Sequence, residues 1–448
     1  MKDLESKEKC TFYEPIKRNK MDFFRQELDF GDPKQKVLKE DCQLFSTLFI
    51  SCQSRECDLQ EFFRHENQSF PAALSDSGKL HTCQKSQLAA IFEDLVTLPD
   101  TEPKADGIII DGSALINSLP PRTSKTFDEY AALDVLPTIQ VYSSKYKRTD
   151  ILFDVYRKAS LKAETRLRRG LGARCRVTDN GKVPRNWRSF LRENDNKTEL
   201  FNFLADKIVR MHTPNTVIVT KEEDTELGLE KLWIAFGQGR NLRWIPIHEL
   251  SLSVGPEKTR GILFFHAFTG CDVVSAFREK GKKSAWQTWD VCTEASDVFM
   301  KLSKYPPTVE DGDLQVLEKF VITMYDRSST AAGIDDARLD MFARKQKPYE
   351  AIPPTRAALI QHAKHAAYQA GCIWGQATVC QMETKSPADW GWTKQGDLWQ
   401  IFWTVLPPIA QSCQQLTKCG CKTECSGRCK CYRFGLPCTA LCNCKCAD

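Results

Sequence analysis

The sequence contains no long apolar run and no strong excess of either charge. Its hydrophobic stretches fall short of the roughly 18 residues that a membrane-spanning helix needs, which argues against a membrane protein. Residues 1–5 lead into no apolar segment of the kind found in secretory signals. The chain carries 63 Lys and Arg against 58 Asp and Glu, a formal net charge of +5, so any nucleic-acid surface must arise from local clustering. We therefore expect a soluble intracellular protein.

The composition excludes global disorder. The 448 residues are 42% hydrophobic and include 10 Trp and 25 Phe, which is enough apolar surface for a sizeable core. Composition shifts along the chain predict four regions: a mixed, mostly helical region (1–100), an α/β domain (105–300), a helical region with a Trp- and Pro-rich end (301–412) and a cysteine-rich tail (413–448).

Three short apolar segments indicate a parallel sheet. They span residues 107–112, 149–154 and 216–220, and helix-length polar segments separate them. Strands that alternate with helix-length segments are typical of parallel α/β domains.

Acidic residues stand at the carboxyl end of each predicted strand. Asp111 closes the first, Asp154 closes the second, and Asp224 and Glu226 follow the third. Ligands of open α/β sheets bind at this edge, and converging carboxylates repel one another unless cations lie between them. Oxygen ligands favour magnesium or manganese, and paired ions can hydrolyse a phosphodiester. The alternative is that each acid only caps the helix that follows.

Two basic segments are candidates for phosphate binding. Residues 157–192 include twelve Lys or Arg, among them Arg168 and Arg169, and two acids. Contacts from such a run would be independent of base sequence, although a solvated helix face would have the same composition. A second candidate is the glycine-centred turn with Lys280, Lys282 and Lys283, where a helix N-terminus could bind phosphate. Its alternative is an ordinary surface turn.

The order of these motifs resembles the flap-endonuclease/XPG-like nucleases of the PIN-like superfamily. The resemblance covers about residues 105–300 and rests on the strand-end acids, on FDVYRKASLKAETRLRRG and on FTGCDVVSAFREKGKKSAW. It implies a PIN-like parallel sheet with a magnesium or manganese site. The family's metal-binding acids match Asp111, Asp154, Asp224, Glu226 and Asp272, and its basic catalytic residues match Lys162 and Arg166.

The sequence departs from that family in its acidic residues. The family has a separate helical pair of acids upstream of its D-x-D strand, whereas here one acidic cluster directly follows residues 216–220. Missing carboxylates would weaken a two-metal site, so we expect impaired catalysis. The whole chain also resembles multicopy animal proteins that share the HAFTGCD and GKKSAW blocks.

The cysteine tail predicts a metal site. Of 20 cysteines, nine recur in 28 residues with the spacing C-x-C-x3-C-x3-C-x-C-x6-C-x3-C-x-C-x-C. These are Cys419, Cys421, Cys425, Cys429, Cys431, Cys438, Cys442, Cys444 and Cys446. An odd number of thiols in a reducing compartment argues against a complete set of disulfides, and dense thiolates favour zinc. About three ions would need roughly twelve sulfur bonds, which nine cysteines supply if three of them bridge two ions each.

This spacing resembles a tesmin-like CXC domain. The resemblance implies zinc and DNA binding, the latter partly through a Tyr placed just before a C-x-C. Arg428 holds that place here and Tyr432 follows the motif, and one CXC copy is present where tesmin-like proteins have two. A purely structural zinc module therefore stays open, as does a disulfide or metallothionein-like tail.

Together these features predict a nucleic-acid-binding, nuclear protein. It would combine a metal-dependent nuclease-type domain, impaired or active, with a DNA-binding zinc CXC tail. Two alternatives remain, namely a non-catalytic DNA or chromatin binder that uses the CXC tail, and a protein-interaction scaffold.

Overall fold

The computed structural model describes most of the chain. The described residues are 50–51, 55, 58–154, 172–220, 231–237, 241–343, 347, 349–377, 379, 382–383, 385–396, 398–409, 416–422, 425 and 429–444. They form two compact units, one comprising Met1–Phe62 with Pro408–Asp448 and the other Phe63–Pro407.

The secondary structure is mixed. The strands are β1 (Ser75–Asp76), β2 (Lys79–Leu80), β3 (Gly107–Asp111), β4 (Arg148–Leu152), β5 (Thr216–Thr220), β6 (Trp233–Phe236), β7 (Arg243–Pro246), β8 (Trp392–Gln395) and β9 (Leu398–Ile401). The α-helices are α1 (Leu59–Arg64), α2 (Ser86–Glu93), α3 (Gly112–Ser118), α4 (Phe127–Tyr130), α5 (Leu136–Lys145), α6 (Trp187–Phe190), α7 (Asn194–Val209), α8 (Ile247–Val254), α9 (Pro256–Phe268), α10 (Lys282–Val291), α11 (Ala295–Leu302), α12 (Asp311–Tyr325), α13 (Ile334–Ala343), α14 (Arg356–Ala367) and α15 (Lys430–Arg433). π-helical turns cover Ala131–Val135 and Tyr368–Ile373, and 3-10 turns cover Tyr349–Ala351, Trp374–Gln376 and Pro387–Trp390.

The predicted parallel sheet is confirmed. Strands β3, β4 and β5 lie in that order and pair in parallel, with Asp111 opposite Leu152 and Leu152 opposite Thr220. β-Branched residues dominate β3 and β5, as expected for a pleated surface packed on at least one face. The remaining sheets, β1–β2, β6–β7 and β8–β9, are two-stranded and antiparallel.

One face of this sheet covers an apolar core. Ile110, Ile151 and Val219 pack there with residues from the helices around the sheet, including the fully buried Ile116 and Leu204. Alternate residues point to opposite faces of a strand, so Ile109 and Leu152 lie on the other face, where they are 45% and 36% exposed. The sheet therefore has one buried face and one partly exposed face.

A helical layer completes the same unit. Helix α9 contributes three buried phenylalanines, and one of them, Phe268, contacts the rings of Phe320 on α12 and His362 on α14. Part of the region predicted as residues 301–412 thus packs directly on a helix of the predicted 105–300 domain. The predicted glycine-centred turn does precede a helix, because Gly281 is the N-cap of α10, and α9 lies before that turn in the chain. Gly270 has a φ of 107° in the segment between the two helices, where a Cβ would lie 2.7 Å from the Ala276 Cβ.

No helix among the described residues has the length and hydrophobicity needed to cross a membrane.

Two buried histidines make the helical layer sensitive to acid. His362 and His365 lie on α14, and their Nε2 atoms are 2.7 Å from the Phe268 carbonyl and 2.6 Å from the Gly391 carbonyl. Because burial disfavours the charged imidazolium, the pKa of His362 falls to about 4 and that of His365 to about 3. The neutral rings donate to these carbonyls, and the folded unit resists their protonation.

We expect the unit Phe63–Pro407 to lose stability between pH 6.5 and pH 5. A histidine whose folded pKa lies below its unfolded value contributes stability above the unfolded pKa and loses it as the pH falls. The loss should be roughly 2 kcal/mol for each histidine over this interval. Denaturant unfolding of His365→Gln should show a shallower pH slope than wild type, whereas His212→Gln at an exposed position should not. Equal slopes in all three proteins would contradict the assignment.

Candidate metal centre

The C-terminal cysteines are held by short turns around a single helical turn. Cys429 directly precedes α15 and Cys431 lies within it. Gly435 follows with a φ of 64°, and the chain returns through a Leu436 N–H bond to the Cys431 carbonyl. The last segment is tied to the first by the Asn443 N–H, which donates to the Cys419 carbonyl. These bonds bring cysteines from three segments of the tail together.

The sulfur–sulfur distances are those of a metal-binding cluster. The Cys419 Sγ lies 3.7 Å from Cys425, 4.0 Å from Cys438 and 3.6 Å from Cys444. The Cys425 and Cys438 sulfurs are 3.5 Å apart. Four sulfurs bound at about 2.3 Å around one tetrahedral ion would lie roughly 3.8 Å apart. A disulfide would need about 2.05 Å, and all the described cysteines are free thiols.

Three overlapping sets of four cysteines have all their sulfurs within 4.8 Å of one another. The sets are Cys419/Cys421/Cys425/Cys429, Cys419/Cys425/Cys438/Cys444 and Cys419/Cys429/Cys431/Cys438. Cys419 belongs to every set, and Cys425, Cys429 and Cys438 belong to two each. This patch could therefore bind metal, and the shared members are the positions at which a sulfur could bridge two ions.

The thiols influence one another's protonation. The backbone N–H of Tyr432 donates to the Cys429 sulfur, which lowers the pKa of Cys429 to about 6. Burial raises the pKa of Cys438 to about 12. Closely spaced sulfurs cannot all become thiolates unless cations offset their repulsion. The pKa of Cys442 is lowered as well, with hydrogen bonds from backbone N–H groups contributing. Ionisation of the whole cluster would therefore need cations to offset the repulsion between thiolates.

Two of the predicted catalytic acids lie at the carboxyl ends of neighbouring strands: Asp111 is the last residue of β3, whereas Asp154 follows the end of β4 by two residues. Asp111 caps α3, because its Oδ1 accepts a hydrogen bond of 2.9 Å from the Ala114 N–H. Asp154 accepts a 3.0 Å bond from the hydroxyl of Ser113, in the first turn of that helix. Both carboxylates are exposed. The capping alternative therefore holds for Asp111, and the pair lies at the edge where sheet ligands bind.

Asp272 occupies a different environment. It follows α9 in the helical layer and forms an ion pair with Lys85, with 2.7 Å between Oδ1 and Nζ. Among the described residues, every group of at least three His, Cys, Asp or Glu ligand atoms within 4.8 Å consists of tail cysteines. Asp272 does not form such a group with Asp111 and Asp154.

Lys282 has a structural position in place of the predicted phosphate contact. It is fully buried, and its Nζ donates to the His266 carbonyl (2.6 Å), the Thr269 hydroxyl (2.8 Å) and the Gly270 carbonyl (2.6 Å). These acceptors lie at the carboxyl end of α9, where a cation satisfies unpaired carbonyls and the helix dipole. Burial lowers the pKa of Lys282 to about 8. The ammonium group is therefore inaccessible to a nucleic-acid phosphate.

The other predicted nucleic-acid residues differ in their exposure. Lys283 is exposed, whereas Lys280 is half-buried with its Nζ 4.8 Å from the centre of the Tyr325 ring. Tyr432 is 66% exposed on α15, and Phe434 beside it is 50% exposed. Several predicted residues lie outside the described part of the chain: Lys162, Arg166, Arg168, Arg169, Asp224, Glu226, Arg428 and Cys446.

Sequence reasoning missed one residue of the cysteine patch. Arg55 donates a 3.4 Å hydrogen bond to the Cys431 sulfur from a position 376 residues earlier in the chain. Cys52 and Cys57 flank Arg55 in the sequence, but nothing in that segment indicates a contact with a tail so far along the chain.

The chain matches no protein-family model, no curated protein and no solved structure.

Proposed function

We propose that the protein binds zinc through its C-terminal cysteines and uses this module to bind nucleic acid in the nucleus. The observation that supports zinc is the set of sulfur–sulfur distances between 3.5 and 4.0 Å. An all-sulfur tetrahedral set favours zinc over magnesium, calcium or manganese. The zinc would hold together a segment with few other buried side chains, as in a CXC domain.

About three zinc ions fit the proposed module. Four sulfurs for each ion require bridging cysteines, and Cys419 is the strongest candidate because it belongs to all three sets. Three divalent ions with nine thiolates would carry a net charge of about −3. Basic residues of the tail offset this charge: Lys418, Lys422, Arg428, Lys430, Arg433 and Lys445.

The full chain should contain about three zinc ions, as measured by elemental analysis of the purified protein. Cys419→Ser should lower the content by more than one ion, because its sulfur is shared. The control is Cys175→Ser, at a half-buried cysteine outside the tail sets, and it should retain the wild-type content. A chelator should unfold the tail, since metal binding supplies most of its folding energy. A wild-type content of one ion or none would contradict the three-zinc module.

The nucleic-acid proposal rests on the surface of α15. Lys430 and Arg433 are exposed, and so are the aromatic rings of Tyr432 and Phe434. Exposed aromatics stack on unpaired bases while neighbouring cations contact phosphates.

Replacing Lys430 and Arg433 by Ala should reduce the salt dependence of DNA binding. Each lost phosphate contact should lower the slope of log affinity against log salt by about 0.9 on duplex DNA and about 0.7 on single strands. Tyr432→Ala should weaken single-stranded binding by about 1–3 kcal/mol through lost stacking. Lys394→Ala, at an exposed position on β8, is the matched control. An unchanged slope in the double variant would exclude α15 as the binding surface.

A nuclease-type activity in a PIN-like fold is the second candidate. It is supported by the parallel sheet with Asp111 and Asp154 at neighbouring carboxyl ends. Two carboxylates can bind one magnesium or manganese ion that keeps several of its waters. With Asp272 in the helical layer, a second ion would lack a described ligand, and two-ion stabilisation of both reacting oxygens would be lost.

We therefore expect magnesium- or manganese-dependent cleavage of flap, gapped or single-stranded DNA to be very slow. Asp154→Asn should abolish whatever cleavage wild type shows, because it removes a negative ligand at nearly constant shape. Asp106→Asn, at an exposed residue just before β3, should cleave like wild type. Cleavage that persists at the wild-type rate in Asp154→Asn would remove the strand-end site from consideration.

A further inference from the structure

Arg55 is a buried cation within the unit that contains the cysteine tail. Its side chain is 6% exposed, and its guanidinium donates hydrogen bonds in three directions. Nε bonds to the Pro437 carbonyl at 2.8 Å, and one terminal nitrogen bonds to the Thr417 carbonyl at 2.8 Å. The other terminal nitrogen bonds to the Cys431 sulfur at 3.4 Å. One side chain thus connects three separate segments of the tail.

The acceptors of Arg55 lie beside cysteines of the metal-binding sets. Thr417 is two residues before Cys419, and Pro437 immediately precedes Cys438. Cys419 and Cys438 occur together in two of the three sets, and Cys431 joins them in one. Because a guanidinium is a planar fork of donors with fixed directions, its bonds restrict where these backbone segments lie. The positions of their sulfurs are restricted as a result.

Metal binding would strengthen this arrangement. In the free thiol, Cys431 bonds weakly to the Thr417 carbonyl at 3.7 Å. A metal-bound thiolate has no proton to donate, and that bond would be lost. The Thr417 carbonyl would still accept its hydrogen bond from Arg55. The hydrogen bond from Arg55 to the Cys431 sulfur would become charge-assisted, because the sulfur would be a thiolate. Negative charge stabilises a buried guanidinium, and an anionic zinc–thiolate cluster would add such charge beside Arg55.

We propose that Arg55 is a positioning residue of the zinc–thiolate cluster, which fixes the segments that carry Cys419 and Cys438 and donates a hydrogen bond to the Cys431 sulfur. The cysteine module therefore includes a residue from the N-terminal part of the chain, and the tail alone lacks part of its metal site. This inference rests on the proposed zinc binding.

The test compares metal binding by full-length wild type, Arg55→Met and Arg55→Lys. Arg55→Met has a similar length but no donor and no charge. We expect it to lose about 10- to 100-fold in zinc affinity, measured by competition with a chromophoric chelator, as is typical when partners of metal ligands are removed. Arg55→Lys keeps the charge but cannot reach all three acceptors, and its affinity should be intermediate. Arg260→Met, at an exposed arginine of α9 outside the cysteine tail, should bind zinc like wild type.

A spectroscopic measurement separates positioning from simple packing. In the cobalt-substituted protein, a hydrogen bond to sulfur lowers the energy of the sulfur electrons that take part in charge transfer to the metal. The thiolate-to-cobalt band of Arg55→Met should therefore move to lower energy, while that of Arg260→Met should not move.

Three results would overturn the inference. A wild-type protein without metal would remove the proposed zinc function and this inference with it. A metal-loaded wild type with an Arg55→Met affinity within about twofold and an unmoved cobalt band would overturn the inference alone, even if the variant melts at a lower temperature. A wild-type zinc affinity in Arg55→Lys would show that a positive charge alone is enough for tight zinc binding. The directed hydrogen bonds of the guanidinium would then have no positioning role.

Discussion

Repulsion between closely spaced thiolates is the constraint on which the cysteine tail depends. Its sulfurs lie 3.5–4.0 Å apart in their closest pairs, a spacing that neutral thiols tolerate and ionised thiols do not without cations. The surrounding backbone offers little other stabilisation, since α15 has one turn and short helices are marginal in isolation. The close sulfurs of this short segment could therefore be held together by a metal ion.

In the larger unit, several buried polar side chains are satisfied by hydrogen bonds to other protein groups. Lys282 satisfies the carboxyl end of α9 with three hydrogen bonds. His362 and His365 stay neutral because burial in an apolar layer disfavours the imidazolium, and each neutral ring donates to one backbone carbonyl. Unpaired polar groups in such surroundings would cost about 1–3 kcal/mol each. Lysine and histidine often bind phosphate or take part in catalysis. In this unit, Lys282, His362 and His365 form hydrogen bonds that stabilise the packing of helices.

The sequence predicted the features that depend on neighbouring residues in the chain, such as strands and turns. Runs of apolar residues predicted the three parallel strands, and the structure confirms them. The glycine in Gly-Lys-Lys predicted a turn before a helix, and Gly281 does precede α10. The exposure of a lysine depends on tertiary packing, so Gly-Lys-Lys could not show that Lys282 is buried and Lys283 exposed. The β8–β9 hairpin lies in a Trp-rich stretch whose composition does not distinguish strand from loop. The position of Asp272 depends on how α9, which precedes it, packs against other helices. Tertiary packing of this kind cannot be read from the residues around Asp272.

The two candidate sites differ in what positions their side chains. Asp111 and Asp154 are positioned by strand pairing, by a helix cap and by the Ser113 hydroxyl, so their geometry survives without an ion. The cysteines are positioned by turns and by Arg55, so their geometry should be stable only with an ion. Metal loss would thus unfold the cysteine module while leaving the strand-end carboxylates in place. An activity that disappears with chelation must therefore be assigned by the ion that restores it, since zinc would rebuild the thiolate module and magnesium would serve the carboxylates.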